Sequence, residues 1–253
     1  MNPVTISAII LTLNEEANIK RCIDSLKGVA DEILVVDSYS SDRTEEICKQ
    51  EGVRFAQNRF EGFIEQENFA SKMAISPYQF IIDADEEVSL ELKKSLVQVK
   101  ANWQYDAYSF NRLACYCGSW IKHCGWYPDK KIRLIDLRKG FWGGENPHHR
   151  FILNDNSKLG HLRGDVLHYA FNSIQDHVAT ANNYSTIAAH QIIKKGKYVS
   201  IILHLILNPL FTFFSKYFLR LGFLDGYYGF VICTISAIAN YLKYSKALAL
   251  KKK

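Results

Sequence analysis

The stretch Phe80-Ile81-Ile82-Asp83-Ala84-Asp85-Glu86-Glu87 sets four carboxylates in five positions directly after an apolar run. Carboxylates this close repel one another unless a cation or a hydrogen-bonded substrate neutralises them. Hard oxygen ligands of this kind suit Mg²⁺ or Mn²⁺, ions that commonly bridge protein carboxylates to nucleotide phosphates. A solvated acidic turn capping the next helix would explain the same residues without any chemistry. What precedes the acids decides between the two.

Val4 to Leu13 is a nearly continuous apolar run, the pattern of a parallel strand buried on both faces. Asn14 reads as an N-cap, with Glu15 and Glu16 in the first turn of a helix to about Leu26. A second strand, Glu32 to Val36, ends in Asp37-Ser38-Tyr39-Ser40-Ser41, and Asp42 with Glu45 forms a capping box. Val53 to Ala56 is a third strand, Ile64 to Ala74 a helix, and Tyr78 to Ile82 the fourth strand. Alternation at this spacing predicts an α/β domain with a mainly parallel sheet. Ligands of such sheets bind at the carboxyl ends of the strands. Three polar tips meet there: Thr12-Leu13-Asn14-Glu15, Asp37 to Ser41, and Asp83-Ala84-Asp85. No GxGxxG follows the first strand and no GxxxxGK[ST] occurs, so a dinucleotide fingerprint and a P-loop are both unsupported.

Ser89 should cap a helix to Lys100, Tyr105 to Arg112 alternates like an exposed edge strand, and Pro128 to Leu134 reads as a strand. Phe141 to Arg150 reads as a loop by its glycines and proline. Ile174 to Lys195 is helical in pattern. Ile201 to Phe214 and Leu221 to Leu242 are strongly apolar but interrupted, the first by His204, Asn208 and Pro209 and the second by Asp225 and glycines. Neither offers the roughly 18–20 clean apolar residues of a spanning helix, which favours amphipathic helices at a membrane interface. Packing on the protein itself, or a homodimer seam, is the alternative. The boundary is drawn near Phe171: residues 1–170 form the α/β domain and 171–253 a helical extension.

Within 253 residues the net charge is +5, and much of the excess lies near the end, in Lys243, Lys246 and Lys251-Lys252-Lys253. Such a terminal cluster fits an anionic membrane surface better than nucleic acid, which needs a larger basic stripe. Met1 to Leu13 lacks a basic n-region and a cleavage site, so the expected location is the cytoplasm and the six cysteines are expected as thiols. Cys115, Cys117, His123 and Cys124 invite a zinc site, but adjacent His123 and Cys124 close one tetrahedron poorly, so reduced thiols are favoured.

With the polar tips in place, the chain resembles family 2 glycosyltransferases, inverting nucleotide-sugar enzymes of the GT-A fold. The residues that carry this are Ile10 to Glu16, Val35 to Thr44 and Asp83-Ala84-Asp85. Cys124 to Leu134 and Leu221 to Gly226 narrow the likeness to the KdtX/WaaE-like glucosyltransferases of lipopolysaccharide core biosynthesis. The resemblance implies that Thr12, Asn14 and Glu15 line a nucleotide pocket, with Asp37 on the base and Asn68 reaching the same pocket. It puts Asp83 and Ala84 at the ribose or donor sugar and Asp85, with Asp83 beside it, at a Mn²⁺ or Mg²⁺ ion. The donor would be a UDP-hexose, most simply UDP-glucose. The acceptor would be a lipid-linked oligosaccharide at the cytoplasmic face of the bacterial inner membrane, with the protein peripheral there.

An inverting transfer also needs a base on the face opposite the leaving group. The resemblance puts it between Trp142 and Arg150 and leads one to expect a carboxylate directly after the histidine there. His149 stands in that place, so either His149 is the base, or Glu145 takes over, or catalysis is reduced. Lys131 and Arg133 share one strand face and could meet donor phosphates or an anionic acceptor, or form a solvated basic edge. Trp126 could stack on a sugar or pack in the core. The rival activities are transfer to a polyprenyl phosphate, against which the missing long spanning helices count, and a non-catalytic nucleotide-sugar-binding assembly partner.

Overall fold

The computed structural model describes residues 3–145 and 148–251, without the side chains of His148 and His149. The chain divides into two compact units, Met1–Arg112 with Asp129–His168, and Leu113–Pro128 with Tyr169–Lys253. Residues 113–128 therefore belong with the helical part, beyond the single break the sequence suggests.

In the first unit, β1 (Ile6–Thr12), β2 (Glu32–Asp37), β3 (Arg54–Gln57) and β4 (Tyr78–Asp83) are parallel in the order β3-β2-β1-β4. Beyond β4 the sheet turns antiparallel through β8 (Asp129–Asp136) and β6 (Ala107–Tyr116). It continues into β11 (Leu159–Phe171) and the short β5 (Glu86–Val88). The sheet is thus mixed, its parallel part confined to the first four strands. Their continuous apolar runs have a simple cause: both faces are covered. Ile6, Ala8, Ile10, Val35, Phe80 and Ile82 pack into one core, and Ile9, Leu34, Val36 and Ile81 into another. The helices α1 (Ile19–Leu26), α2 (Thr44–Gln50), α3 (Phe63–Met73) and α4 (Leu90–Ala101) supply the cover. Ser89 caps α4 as expected, accepting from Leu92 N at 3.3 Å.

Three local expectations need correction. Asn14 is not an N-cap: α1 begins at Ile19, and Asn14 takes a left-handed φ of 55° that a short polar side chain tolerates. The 107–116 strand is no exposed edge but lies between β8 and β11. The segment 141–150 is not a loop: β9 (Gly140–Glu145) and β10 (His148–Leu153) form a hairpin. Gly140, at its base, marks a close backbone approach, since a Cβ there would sit 2.3 Å from the Ile152 carbonyl oxygen. Trp142 and Phe151, ring centroids 5.4 Å apart, bury the hairpin's inner face.

In the second unit the end of β6 pairs with β7 (Ser119–Ile121). Helix α5 (Ile174–Lys194) packs along α7 (Gly226–Lys251). Helix Ile201–Leu219, with π-type turns on either side of α6 (Asn208–Phe214), runs through His204, Asn208 and Pro209 without a break. It is 19 residues long with mean hydropathy 1.4, and Gly222–Lys251 is 30 residues with the same value. Both are long and apolar enough to cross a membrane by length and composition, contrary to the sequence reading. Pro209 falls where the first π-type turn gives way to α6.

Candidate active site

The strand tips are tied to one another through the backbone. Ser38 N donates to Thr12 O at 2.9 Å, Asn58 N to Asp37 O at 2.9 Å, and Ala84 N to Leu11 O at 3.2 Å. Side chains continue the lacing between the loops after β1 and β2. Asn14 N donates to Ser40 Oγ at 2.7 Å and Ser41 N to Asn14 Oδ1 at 2.8 Å. Glu15 N donates to Thr44 Oγ1 at 2.9 Å, and Asp42 accepts from Glu16 N and Thr44 N, both at 3.0 Å. Asp37 is fully buried beneath this loop, accepting from Ser40 N at 2.8 Å and from Gln57 Nε2 at 3.3 Å.

A cavity of about 430 Å³ opens at these tips, and Thr12, Glu15, Asp83, Ala84 and Asp85 line it. Of the other nucleotide-pocket candidates, Asn14 and Asp37 order the rim, and Asn68 turns its amide back onto Ile64 O at 2.8 Å. Gln66 and Glu67, from the same α3, line the cavity instead, with Ser38, Phe60, Phe63 and His168. Sequence reasoning placed Ser38 in a strand tip and missed the others. Glu15 is pushed up from the usual carboxylate range, first by burial and then by the charges of Asp85 and Asp42, against a hydrogen bond from Asn18.

His168 is the most consequential omission. Strand β11 pairs antiparallel with β5 so that His168 stands opposite Glu86. That register rests on a close approach at Gly164, whose φ is +92° and where a Cβ would lie 2.2 Å from Leu92 N. Asp165 N and Leu92 N share Ser89 Oγ, and Ser95 Oγ donates to Arg163 O at 2.8 Å, so β11 is pinned to the start of α4. The result puts His168 Nε2 3.1 Å from Asp85 Oδ2. Burial works against the charged imidazole, but the Asp85 hydrogen bond and the charges of Asp85 and Glu86 outweigh it and raise its pKa.

Asp83 has a different partner. Arg133 grips it bidentately, Nη2 to Oδ2 at 3.1 Å and Nη1 to Oδ1 at 3.3 Å. Burial pushes the Asp83 carboxyl up, but Arg133 outweighs this and holds its pKa below the usual range. Buried Glu86 accepts from Arg112 Nη1 at 3.3 Å, and burial followed by the charge of Asp83 raises its pKa. Lys131 pairs with Asp129 at 3.1 Å. Arg133 thus faces a protein carboxylate and is largely buried, so it is no solvated basic edge.

Among the described residues no group of three or more His, Cys, Asp and Glu side chains is placed to hold an ion. Asp85 Oδ2 and His168 Nε2, hydrogen-bonded at 3.1 Å, place one oxygen and one nitrogen donor at the cavity wall. Glu145 is exposed at the end of β9 and is not part of the cavity lining. The side chain of His149 lies outside the described residues. In the second unit, Trp126 packs against Tyr116, Phe171 and His177 at centroid distances of 5.9, 6.2 and 5.8 Å.

The sequence profile of glycosyl transferase family 2 matches residues 7–172. An uncharacterised glycosyltransferase of Rickettsia typhi is 33% identical over 98% of this chain and 88% of its own length. The lipopolysaccharide core biosynthesis glycosyltransferase LpsC of Rhizobium meliloti is 28% identical over 95% of this chain and 91% of its own. Among solved structures, Staphylococcus aureus TarS 1–349 in complex with UDP aligns over 98% of this chain and 91% of its own, at 16% identity and TM-score 0.46. Glucosyl-3-phosphoglycerate synthase of Mycobacterium tuberculosis, solved with Mn²⁺ and UDP-glucose, aligns over 44% of each chain at 26% identity and TM-score 0.35. The α/β, GT-A type of sheet with its C-terminal helical extension is the fold expected from the sequence.

Proposed function

The chain belongs to glycosyl transferase family 2, and from its site we propose that it moves a hexose from a UDP donor onto a lipid-linked glycan with inversion. The donor is read as UDP-glucose and the acceptor as a lipopolysaccharide core at the cytoplasmic face of the inner membrane, where the helical extension keeps the protein. Likeness to a lipopolysaccharide core glycosyltransferase supports the acceptor class. The observation that carries the reading is the Asp85–His168 pair at 3.1 Å, set in the wall of a cavity at the strand tips.

In this mechanism Asp85 and His168, once its imidazole has lost its proton, would hold a divalent ion, Mn²⁺ or Mg²⁺, which would supply positive charge for a departing diphosphate. Asp83, fixed by Arg133, is oriented to accept hydrogen bonds from ribose or sugar hydroxyls instead of ligating the ion. Thr12 Oγ1 is buried in the cavity wall with no hydrogen-bond partner among the described residues, and it is available to the donor. Phe60 and Phe63, in edge-to-face contact at 5.1 Å, offer apolar surface to the nucleotide and exclude water. Glu145 or His149 takes the proton from the acceptor hydroxyl as it attacks the anomeric carbon.

The test is UDP release from UDP-glucose in the presence of Mn²⁺ and lipid-linked acceptor, for the wild type and for Asp85→Ala. Mn²⁺-dependent release that is lost in the variant is the expected result. Nucleotide binding without turnover in the wild type would make the protein a binder, and unimpaired turnover in Asp85→Ala would remove the ion from its assigned place.

A further inference from the structure

Helix Ile201–Leu219 is built inside out for water. Its outward residues are all apolar: Ile202, Ile206, Leu210, Phe211, Phe214 and Phe218 are between 48% and 67% exposed. Its polar residues turn inward. Thr212 Oγ1 accepts from Asn240 Nδ2 at 2.7 Å, the His204 ring meets Tyr244 at 4.6 Å, and Lys216 Nζ donates to Cys124 O at 3.2 Å. A helix facing water shows the opposite pattern. The apolar surface continues into a groove of about 390 Å³ between this helix and α7, lined by Pro209, Leu210, Phe213, Ala237, Ile238 and Tyr241. At the start of the helix stand exposed Lys194, Lys195 and Lys197, joined by Lys251, whose Nζ donates to Lys197 O at 2.9 Å. Exposed Tyr198 lies beside them.

We propose that this helix lies flat in the headgroup–acyl boundary of an anionic bilayer, outward face down, without crossing it. Length alone would permit a crossing: 19 residues of helix reach about 28 Å, close to a hydrocarbon core. The neighbour of α7 forbids it. Lys246 Nζ, within the apolar α7, donates to Asn182 O, Asn182 Oδ1, Ser185 Oγ and Thr186 Oγ1 of α5, at 2.7–2.8 Å. A crossing α7 would drag this lysine and the exposed Asn182, Asn183, His190 and Gln191 of α5 into hydrocarbon. Lying flat immerses the apolar face alone and brings the lysine cluster to anionic headgroups. The contact deepens the membrane part of the proposed function and rests on it only for placing the chain at a bilayer.

The experiment is depth-dependent fluorescence quenching in full-length protein. A nitrobenzoxadiazole probe goes on Leu203→Cys, Leu210→Cys or Phe218→Cys in a Cys117→Ser background. The vesicles are phosphatidylethanolamine–phosphatidylglycerol with quenchers at shallow or deep acyl positions. Equal quenching at all three sites, stronger from the shallow position, is expected. Deep quenching at 210 with shallow ends would establish a crossing and overturn the proposal. Probes shielded from lipid, with a doubled mass in light scattering, would make the face a contact between copies and overturn it as well. Phe211→Asp should lower vesicle partitioning about tenfold or more, the loss expected when one buried phenylalanine is withdrawn. Val178→Asp, on the exposed face of α5, should leave it unchanged; equal loss in both would count against the assigned face. UDP binding measured on the same proteins separates the readings: its absence throughout would sink the donor assignment and leave the depth result standing.

Discussion

Replacing Arg133 with methionine removes the guanidinium that neutralises Asp83 and keeps much of its packing. Arg133 is 11% exposed and Asp83 37%. Breaking a fully buried pair from one side costs about 3–5 kcal/mol, because the remaining charge is stranded. The open side of Asp83 screens part of that, which brings the expectation to roughly 2–3 kcal/mol. Glu86 adds to the penalty, being buried and already pushed up by the Asp83 charge. The assay is urea unfolding at neutral pH, with Asp83→Asn and the double variant completing a cycle. The double variant, in which no charge is stranded, should recover at least half of the loss.

The sign with pH follows from the depressed Asp83 pKa. Its contribution is fully present above the unfolded value of about 4 and disappears as pH falls through the folded value. The gap between wild type and Arg133→Met should therefore be widest at neutral pH and close as pH falls, first as the stranded Asp83 of the variant takes up a proton and last as the wild-type Asp83 does. An Arg133→Met protein as stable as the wild type at pH 7 would refute the reasoning. It would mean that solvent already screens the pair, leaving Asp83 free to enter the cation's ligand shell beside Asp85.

His168 has the opposite sign. Its folded pKa is raised, so its stabilisation is complete below about 6.5 and lost as pH climbs through the folded value. In ion-free protein, His168→Gln should thus lower the melting temperature more at about pH 5.5 than at about pH 9. Gly164→Ala meets both a positive φ and the Leu92 backbone, and should cost roughly 2–4 kcal/mol in urea unfolding while loosening β11 and the His168 that it carries. For the base, turnover at saturating donor should fall about 10²- to 10⁴-fold in only one of Glu145→Gln and His149→Ala. Equal, small losses in both would place the base elsewhere.

The parallel strands were legible because burial on both faces leaves an unbroken apolar run, as in Ile6–Thr12 and Tyr78–Asp83. The polar tips followed from that, and five of the predicted residues line one cavity. What escaped depends on partners far along the chain. His168 meets Asp85 across 83 positions, and no spacing rule links a histidine on β11 to an acid after β4. Phe141 to Arg150 reads as a loop if each glycine is taken as a turn. It is a hairpin because Phe151 and the Ile152 carbonyl press against Trp142 and Gly140 from the opposite strand. Asn14 misled for a local reason, since a residue suited to an N-cap is equally suited to a left-handed turn. The apolar helices were broken on paper at His204, Asn208 and Pro209, yet the helix continues through all three, with the His204 ring against Tyr244 and Pro209 where a π-type turn gives way to α6.

The four acids after β4 look alike in sequence, and the structure separates them by partner. Asp83 has Arg133, Glu86 has Arg112, and Glu87 has Arg21 at 3.7 Å. Those guanidiniums stay charged at any working pH, so each of these carboxylates has a fixed positive partner. Asp85 is held by an imidazole, which can shed its proton and become a ligand in its own right. Compensation is what makes so dense an acid cluster tolerable in the protein without an ion, and under the proposed function it leaves Asp85, whose partner is an imidazole, as the carboxylate that would take a cation.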